Sequence, residues 1–238
     1  DRQDRRYHAQ TISCHDCGPM LEYRLTEKKG GRQEASAYGV IGIEASQKIM
    51  ESALIPVIMA ASFIGNGRII ALKGVGGYNF VCSPFREDAV LSLRRLKVRE
   101  AKPFAVMFRD LEQIREYCLV SDEEEELLNS NAKPIVLLER RVKMEGSRHE
   151  EEEEELPEIC EEVYKTSRYI GAFLPSMGVQ HMLIDLCGPL VVTSANLSDM
   201  PIIKDDEEMF RLQDSLEFEP NGSKLLEAVF YNERKIRI

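Results

Sequence analysis

The stretch RIIALKGVGGYNFVCSPFREDAVLSLRRLKVREAKPFAVMF, Arg68 to Phe108, decides the fold class. Arg68 to Leu72 is a short β-branched run of strand type that ends in the glycine-rich turn Lys73-Gly74-Val75-Gly76-Gly77. Ala89, Val90, Leu93 and Leu96 then recur at helical spacing, which predicts a helix capped by Ser83, with Pro84 at its first position and its end near Lys97. Phe104 to Phe108 returns to strand character. Strand, helix and strand in one stretch mark a layered α/β domain.

The alternation continues on both sides. Upstream, Glu44 to Ile64 carries apolar residues at helical spacing; Pro56 predicts a kink or break there, and Gly65-Asn66-Gly67 a stop. Downstream, Asp110 to Tyr117 reads as a helix, and Ser121-Asp122-Glu123-Glu124 as a capping box that opens another. Apolar runs of strand type recur at Pro134 to Leu138, Tyr169 to Leu174, Pro189 to Thr193 and Glu227 to Tyr231, with a helix at Val179 to Leu186. No internal repeat is visible.

Residues 1–21 are polar and separate from the α/β pattern, so two segments are expected: 1–21 as the end of an upstream module and 22–238 as one domain. The opening DRQDRR has neither a methionine nor an apolar stretch behind it, and reads as a piece cut from something longer. Six scattered cysteines, of which only Cys14 and Cys17 lie close together, fit a reducing, cytoplasmic setting better than a disulfide framework.

A charged fraction of 30% and a hydrophobic fraction of 43% describe an ordinary globular chain. The net charge of -10 disfavours a nucleic-acid backbone as partner, since counterion release needs clustered cations. The longest apolar run, Ala53 to Ile64, is broken by Pro56 and Ser62, and is shorter than the roughly 18 to 20 residues that a bilayer requires. The acidic run Glu150 to Glu155 reads as a solvated loop.

Three constellations carry chemistry. After the first strand, Lys73 with Gly74, Gly76 and Gly77 forms either a plain turn or an anion cradle of backbone N–H groups with a point charge beside it. Lys97, Arg99 and Lys102 gather three cations at a helix end, which suits either the helix dipole or the oxygens of a triphosphate. The strand Pro189 to Val192 runs into Thr193-Ser194-Ala195-Asn196-Leu197-Ser198, either a capping turn or the ligand contacts found at the carboxyl end of a sheet strand.

Together, Lys97-x-Arg99 and Ser194-x-Asn196 resemble the signature of the YrdC/Sua5 family, whose members make carbamoyl or threonylcarbamoyl adenylates. KGVGGYNFVC, AKPFAVMF, KPIVLLERR and PLVVTSANLSDMPI are similar to the branch of hydrogenase-maturation carbamoyltransferases, HypF. Arg5-Arg6-Tyr7-His8 with Cys14-x-x-Cys17 resembles the last CxxC of the zinc-finger-like region that precedes this domain there.

The resemblance implies a YrdC/Sua5-like twisted mixed sheet with flanking helices and an open ligand cleft. It also implies the activation of carbamate, released from carbamoyl phosphate, by ATP to carbamoyl adenylate, a step towards the cyanide ligand of NiFe hydrogenase. Lys97, Arg99, Ser194 and Asn196 would be the catalytic group, and Lys73, Gly74, Gly76, Gly77, Lys102 and Ser194 the nucleotide-binding one. Magnesium is implied with ATP. In the full-length protein the resemblance implies zinc, of which Cys14 and Cys17 would hold half a site, and a thiol-bearing partner protein, HypE. The sequence departs from the pattern at Glu100, where proline is usual, and from Ser176 to Gln180, which leaves His181 as a helix-face histidine satisfied by hydrogen bonds. The alternatives are a threonylcarbamoyl-adenylate synthase for tRNA modification and a non-catalytic nucleic-acid-binding or interaction module. The lack of a P-T-E-type segment at Lys73 to Gly77 argues against the synthase.

Overall fold

The computed structural model describes residues 21–25, 45–141, 156–196, 200–217 and 224–232. Along the chain run β1 (Leu21–Leu25), α1 (Ala45–Gly65), β2 (Ile70–Gly74), β3 (Gly77–Cys82), α2 (Glu87–Lys97), β4 (Ala105–Met107), α3 (Leu111–Tyr117), α4 (Asp122–Asn129), β5 (Val136–Glu139), α5 (Glu161–Tyr164), β6 (Tyr169–Phe173), α6 (Gly178–Cys187), β7 (Leu190–Ser194), α7 (Asp206–Ser215) and β8 (Ala228–Asn232). The strands form one twisted sheet in the order β1-β8-β2-β3-β7-β4-β6-β5. It is mixed: β2 with β8 and β4 with β6 are parallel, and the other neighbours antiparallel.

Alternation along the strands divides the core in two, because successive side chains point to opposite faces. Ile70, Leu72, Val81, Met107, Leu190 and Val192 face Val57, Ala60 and Ile64 of α1 and Leu183 and Ile184 of α6. Ala71, Phe80, Val106, Ile170, Ala172 and Val191 face the other way, towards α2 with Ala89, Val90, Leu93 and Leu96. The stripe that predicted α2 is therefore its buried face. The capping box at Ser121 is present: Glu124 N donates to Ser121 Oγ at 3.3 Å and Ser121 N to Glu124 Oε2 at 2.8 Å. Among the described residues no helix is long and apolar enough to cross a membrane.

Three expectations need correction. Helix α1 runs through Pro56 without ending, since Val57, Ala60 and Ile64 bury their side chains on the sheet and offset the roughly 3 kcal/mol that proline costs a helix interior. Helix α2 starts at Glu87, with Arg86 at the N-cap, and not at Ser83. Ser83 Oγ instead accepts from Phe85 N at 3.3 Å, a local turn that competes with helix, while Glu87 and Asp88 supply the acidic first turn. Strand β2 reaches two residues further than Leu72, because Lys73 and Gly74 pair with Tyr78 and Gly77 of β3. Strands β1 and β3 and helices α5 and α7 have no counterpart in the sequence reading.

Candidate functional site

Strands β2, β3 and β7 lie side by side and end together, which positions the site. Lys73 pairs with Tyr78 across β2 and β3, and Asn79 with Ser194 across β3 and β7. Only Val75 and Gly76 form the turn of the hairpin. Gly77 has φ +136°, and a Cβ there would lie 2.8 Å from the Ile203 carbonyl oxygen, so this position requires glycine. The approach is close because Tyr78 N donates to that same oxygen at 2.8 Å.

Lys97, the last residue of α2, is only 5% exposed. Its ammonium passes Phe80 and donates to the carbonyls of Ser194, at 2.5 Å, and Asn196, at 3.0 Å, and to Asn196 Oδ1 at 2.8 Å. Ser194 Oγ donates to Asn196 Oδ1 at 2.7 Å, and Asn196 Nδ2 to the Met200 carbonyl at 2.8 Å. Arg99 turns outward over Phe104, 4.8 Å from the ring centre, and donates to the carbonyls of Lys102 and Pro103. Burial, then the Arg99 charge, pushes Lys97 down to about 8, and burial, then Arg94, lowers Arg99. Among the described residues neither Lys97 nor Arg99 meets a carboxylate: their partners are carbonyls and one amide. Two adjacent cations with no anion opposite them suit an incoming polyanion.

The structure thus brings together Lys97, Ser194 and Asn196, three of the residues expected from the sequence, with Arg99 close enough for its charge to act on Lys97. Lys102 is exposed on the same loop, and so is Glu100. Lys73 stands two strands away, about 10 Å at ordinary strand spacing. Its ammonium is held by Asp206 Oδ1, which also accepts from the Tyr78 phenol O–H at 2.6 Å. Burial and then Asp206 push the Tyr78 phenol far up, so it stays protonated as a donor. Gly74 lies against α6: a Cβ there would meet Met177 Cε at 3.3 Å and Asn79 Nδ2 at 3.1 Å.

The departures around Ser176 have a local explanation. Gln180, buried, accepts from Ser176 N at 2.9 Å and Met177 N at 3.2 Å, which caps α6. His181 is exposed on α6, and no side-chain hydrogen bond satisfies it among the described residues, contrary to expectation. Cys14 and Cys17, Ser198 and the acidic run 150–155 lie outside the described residues. Among those described, no group of three His, Cys, Asp or Glu side chains is placed to hold a metal. Two further residues, one beside each lysine, escaped the sequence reading. Asp206 sits in an acidic helix start that looks like a solvated cap, and Arg94 lies on the apolar stripe of α2 between Leu93 and Leu96.

An open mixed sheet with a Lys-x-Arg pair at a helix end and Ser-x-Asn at the end of a central strand defines an α/β protein of the YrdC/Sua5 class. Residues 62–218 match the Sua5/YciO/YrdC family model, described as "Telomere recombination", and the chain belongs to that family. A second family model, "HypF finger", matches residues 1–23.

Within the family the chain resembles carbamoyltransferase HypF. It is 36% identical to the protein of that name from Rhodobacter capsulatus over 89% of this chain and 24% of the relative. It is 29% identical to a probable carbamoyltransferase HypF of Methanocaldococcus jannaschii over 89% of this chain and 30% of the relative. Its structure superposes on that of full-length HypF in a phosphate- and nucleotide-bound form with TM-score 0.70 and 31% identity, over 99% of this chain and 25% of that one. The chain therefore spans about a quarter of the length of these relatives. Sua5 of P. abyssi, complexed with L-threonine, is 21% identical over 62% of this chain with TM-score 0.51, a likeness of fold alone.

Proposed function

We propose that this chain binds ATP at the Lys97–Asn196 end of the sheet and activates carbamate to carbamoyl adenylate, as the nucleotide-using part of a longer carbamoyltransferase. The observation that carries the reading is the Lys97 ammonium lodged between Ser194 and Asn196, with Arg99 two residues on and no carboxylate opposite either cation among the described residues. Family membership and the nucleotide-bound state of the HypF relative support it.

Adenylate formation asks the protein for charge stabilisation and alignment, with little covalent chemistry of its own. A carbamate oxygen attacks the α-phosphorus, the bond to the β-phosphate bridging oxygen breaks, and pyrophosphate leaves with the electron pair. Lys97 and Arg99 would hold the triphosphate, and Ser194 Oγ and Asn196 the α-phosphate and the carbamoyl end. Phosphoryl oxygens accept charge-assisted hydrogen bonds more strongly than carbonyls do, so Lys97 exchanges a backbone partner for the nucleotide. Gly74 and Gly77 present no side chain beside that end, and Val75 at the tip of the β2–β3 turn is exposed to solvent. With no three-residue metal cluster among the described residues, magnesium would arrive with the phosphates, as it commonly does.

In the longer protein, the reading extends to carbamoyl phosphate as the source of carbamate, zinc bound in part by Cys14 and Cys17, and a thiol-bearing maturation partner, HypE, as acceptor. The first segment, 1–21, would then be the end of the finger and 22–238 the YrdC-like domain, with Leu21 already the first residue of β1. Calorimetric titration of ATP into the unsubstituted chain and into Arg99→Ala tests the site. Binding in the micromolar to millimolar range that weakens about tenfold or more in the variant is expected, the size of one lost charge-assisted contact. Equal affinity in both would refute the assignment.

A further inference from the structure

We infer that Arg94 is the positioning residue of the nucleotide site: a buried clamp that holds the loop 98–103 in the shape that aims Lys97 inward and Arg99 outward. The inference rests on the ATP-binding reading above and deepens it. Arg94 lies one turn before the end of α2 and is 6% exposed. Its guanidinium nitrogens donate to four backbone carbonyls. One is that of Glu162, at 2.9 Å and 2.6 Å; the others are those of Arg99 at 2.9 Å, Glu100 at 3.2 Å and Lys102 at 3.3 Å. The Glu162 carboxylate stands 3.3 Å away as counter-ion, and Phe104 lies beneath at 4.8 Å, the same ring that carries Arg99. Three of the four carbonyls belong to the loop that bears the proposed phosphate contacts. A rigid fork of five N–H donors makes this possible, and lysine offers no such fork.

The loop needs a clamp because its backbone is strained. Val98, between Lys97 and Arg99, has φ 49° and ψ 49°, a left-handed conformation that β-branched residues rarely adopt. Arg99 N donates to the Arg94 carbonyl at 3.0 Å and Val98 N to that of Arg95 at 3.2 Å, the pattern of a helix stop that ordinarily uses glycine at the left-handed position. Strain of this kind persists only where the surroundings over-determine it, and it gathers at ligand sites. In this loop the reversal at Val98 sends consecutive cations in different directions, and the Arg94 fork fixes the far side of the turn.

A double-mutant cycle on ATP affinity tests this. Arg94→Lys keeps the charge and removes the fork, and is expected to weaken ATP about tenfold, the scale of one lost charge-assisted contact. In an Arg99→Ala background the same change is expected to weaken it further by less than about twofold, because residues acting through one contact are not additive. In a Lys97→Ala background the penalty should stay near its full value, since Lys97 is anchored by Ser194 and Asn196. Should Arg94→Lys fail to fold, Glu162→Gln, which removes the charge paired with both Arg94 and Lys165, is expected to weaken ATP about twofold to fivefold, again only when Arg99 is present. Independent, multiplicative penalties for Arg94 and Arg99, or a lowered melting midpoint with unchanged ATP affinity, would overturn the inference and leave the ATP site standing. No binding by the unsubstituted chain would overturn both.

Discussion

Two lysines, one near the end of β2 and one at the end of α2, differ in what faces them. Lys73, at the end of β2, meets a carboxylate: Asp206 holds it, and Tyr78 completes the cluster from the next strand. Lys97, at the end of α2, is more deeply buried and, among the described residues, meets only carbonyls and the Asn196 amide. The first is an ion pair already closed within the protein; the second has no carboxylate opposite it among the described residues. From the sequence both read as phosphate contacts, since each is a lysine beside small residues. If Lys97 binds ATP as proposed, the difference teaches that the partner of a cation, more than its presence, separates a binding site from a structural tie.

The sharpest way to break this comparison is to truncate each lysine. Lys97→Ala is expected to weaken ATP binding about tenfold to a hundredfold, the range for hydrogen bonds to charged groups, and Lys73→Ala less than about threefold. Calorimetry reads both, and equal losses would place Lys73 in the nucleotide site. The pH response separates them next. Burial holds Lys97 down to about 8, and the phosphates of ATP would raise it, so binding takes up a proton and affinity falls up to about tenfold per pH unit above that value. The stability sign is opposite. The folded state holds Lys97 below its unfolded value of 10.5 and so binds fewer protons there, and this group makes stability rise as pH goes from about 8 towards 10.5. ATP titrations in buffers of different ionisation enthalpy detect the proton; none taken up at pH 8 would count against the site.

Asp206→Ala opens the closed pair. It is expected to lower unfolding free energy by about 1 to 3 kcal/mol, as for other half-buried charged groups left unpaired, and to change ATP affinity little. Denaturant melts measure the loss, and a large fall in affinity with stability unchanged would reverse the roles of the two clusters. The smallest effect is at Val98. Asn tolerates the left-handed conformation better, so Val98→Asn is expected to stabilise the fold by up to about 1 kcal/mol, read from the same melts.

The alternating strands and helices were legible because hydrophobic period reports which face is buried: the stripe Ala89, Val90, Leu93 and Leu96 is the face of α2 that packs on the sheet. Family spacing singled out Lys97, Ser194 and Asn196, which the fold places in contact. Strand β3 was not, since the glycines before it mark a turn without saying that Tyr78 to Cys82 return along β2. Pro56 misled because tertiary burial outweighed a local preference, and Ser83 because its hydroxyl serves a turn one step before the helix. Arg94 was hidden for a different reason. A sequence shows an arginine on an apolar stripe, but the carbonyls that it collects belong to a loop five to eight residues on and to a helix at Glu162.

ATP–pyrophosphate exchange tests the carbamate reading most directly, with carbamate supplied as ammonium bicarbonate in one arm, and bicarbonate with threonine in the other. Carbamate is small and planar and suits a glycine-rich turn, whereas threonine brings ammonium, carboxylate and hydroxyl groups that each require a partner. Exchange that depends on carbamate, is lost in Lys97→Ala and yields an adenylate with the mass of carbamoyl adenylate is the expected result. Threonylcarbamoyl adenylate as the main product would contradict it.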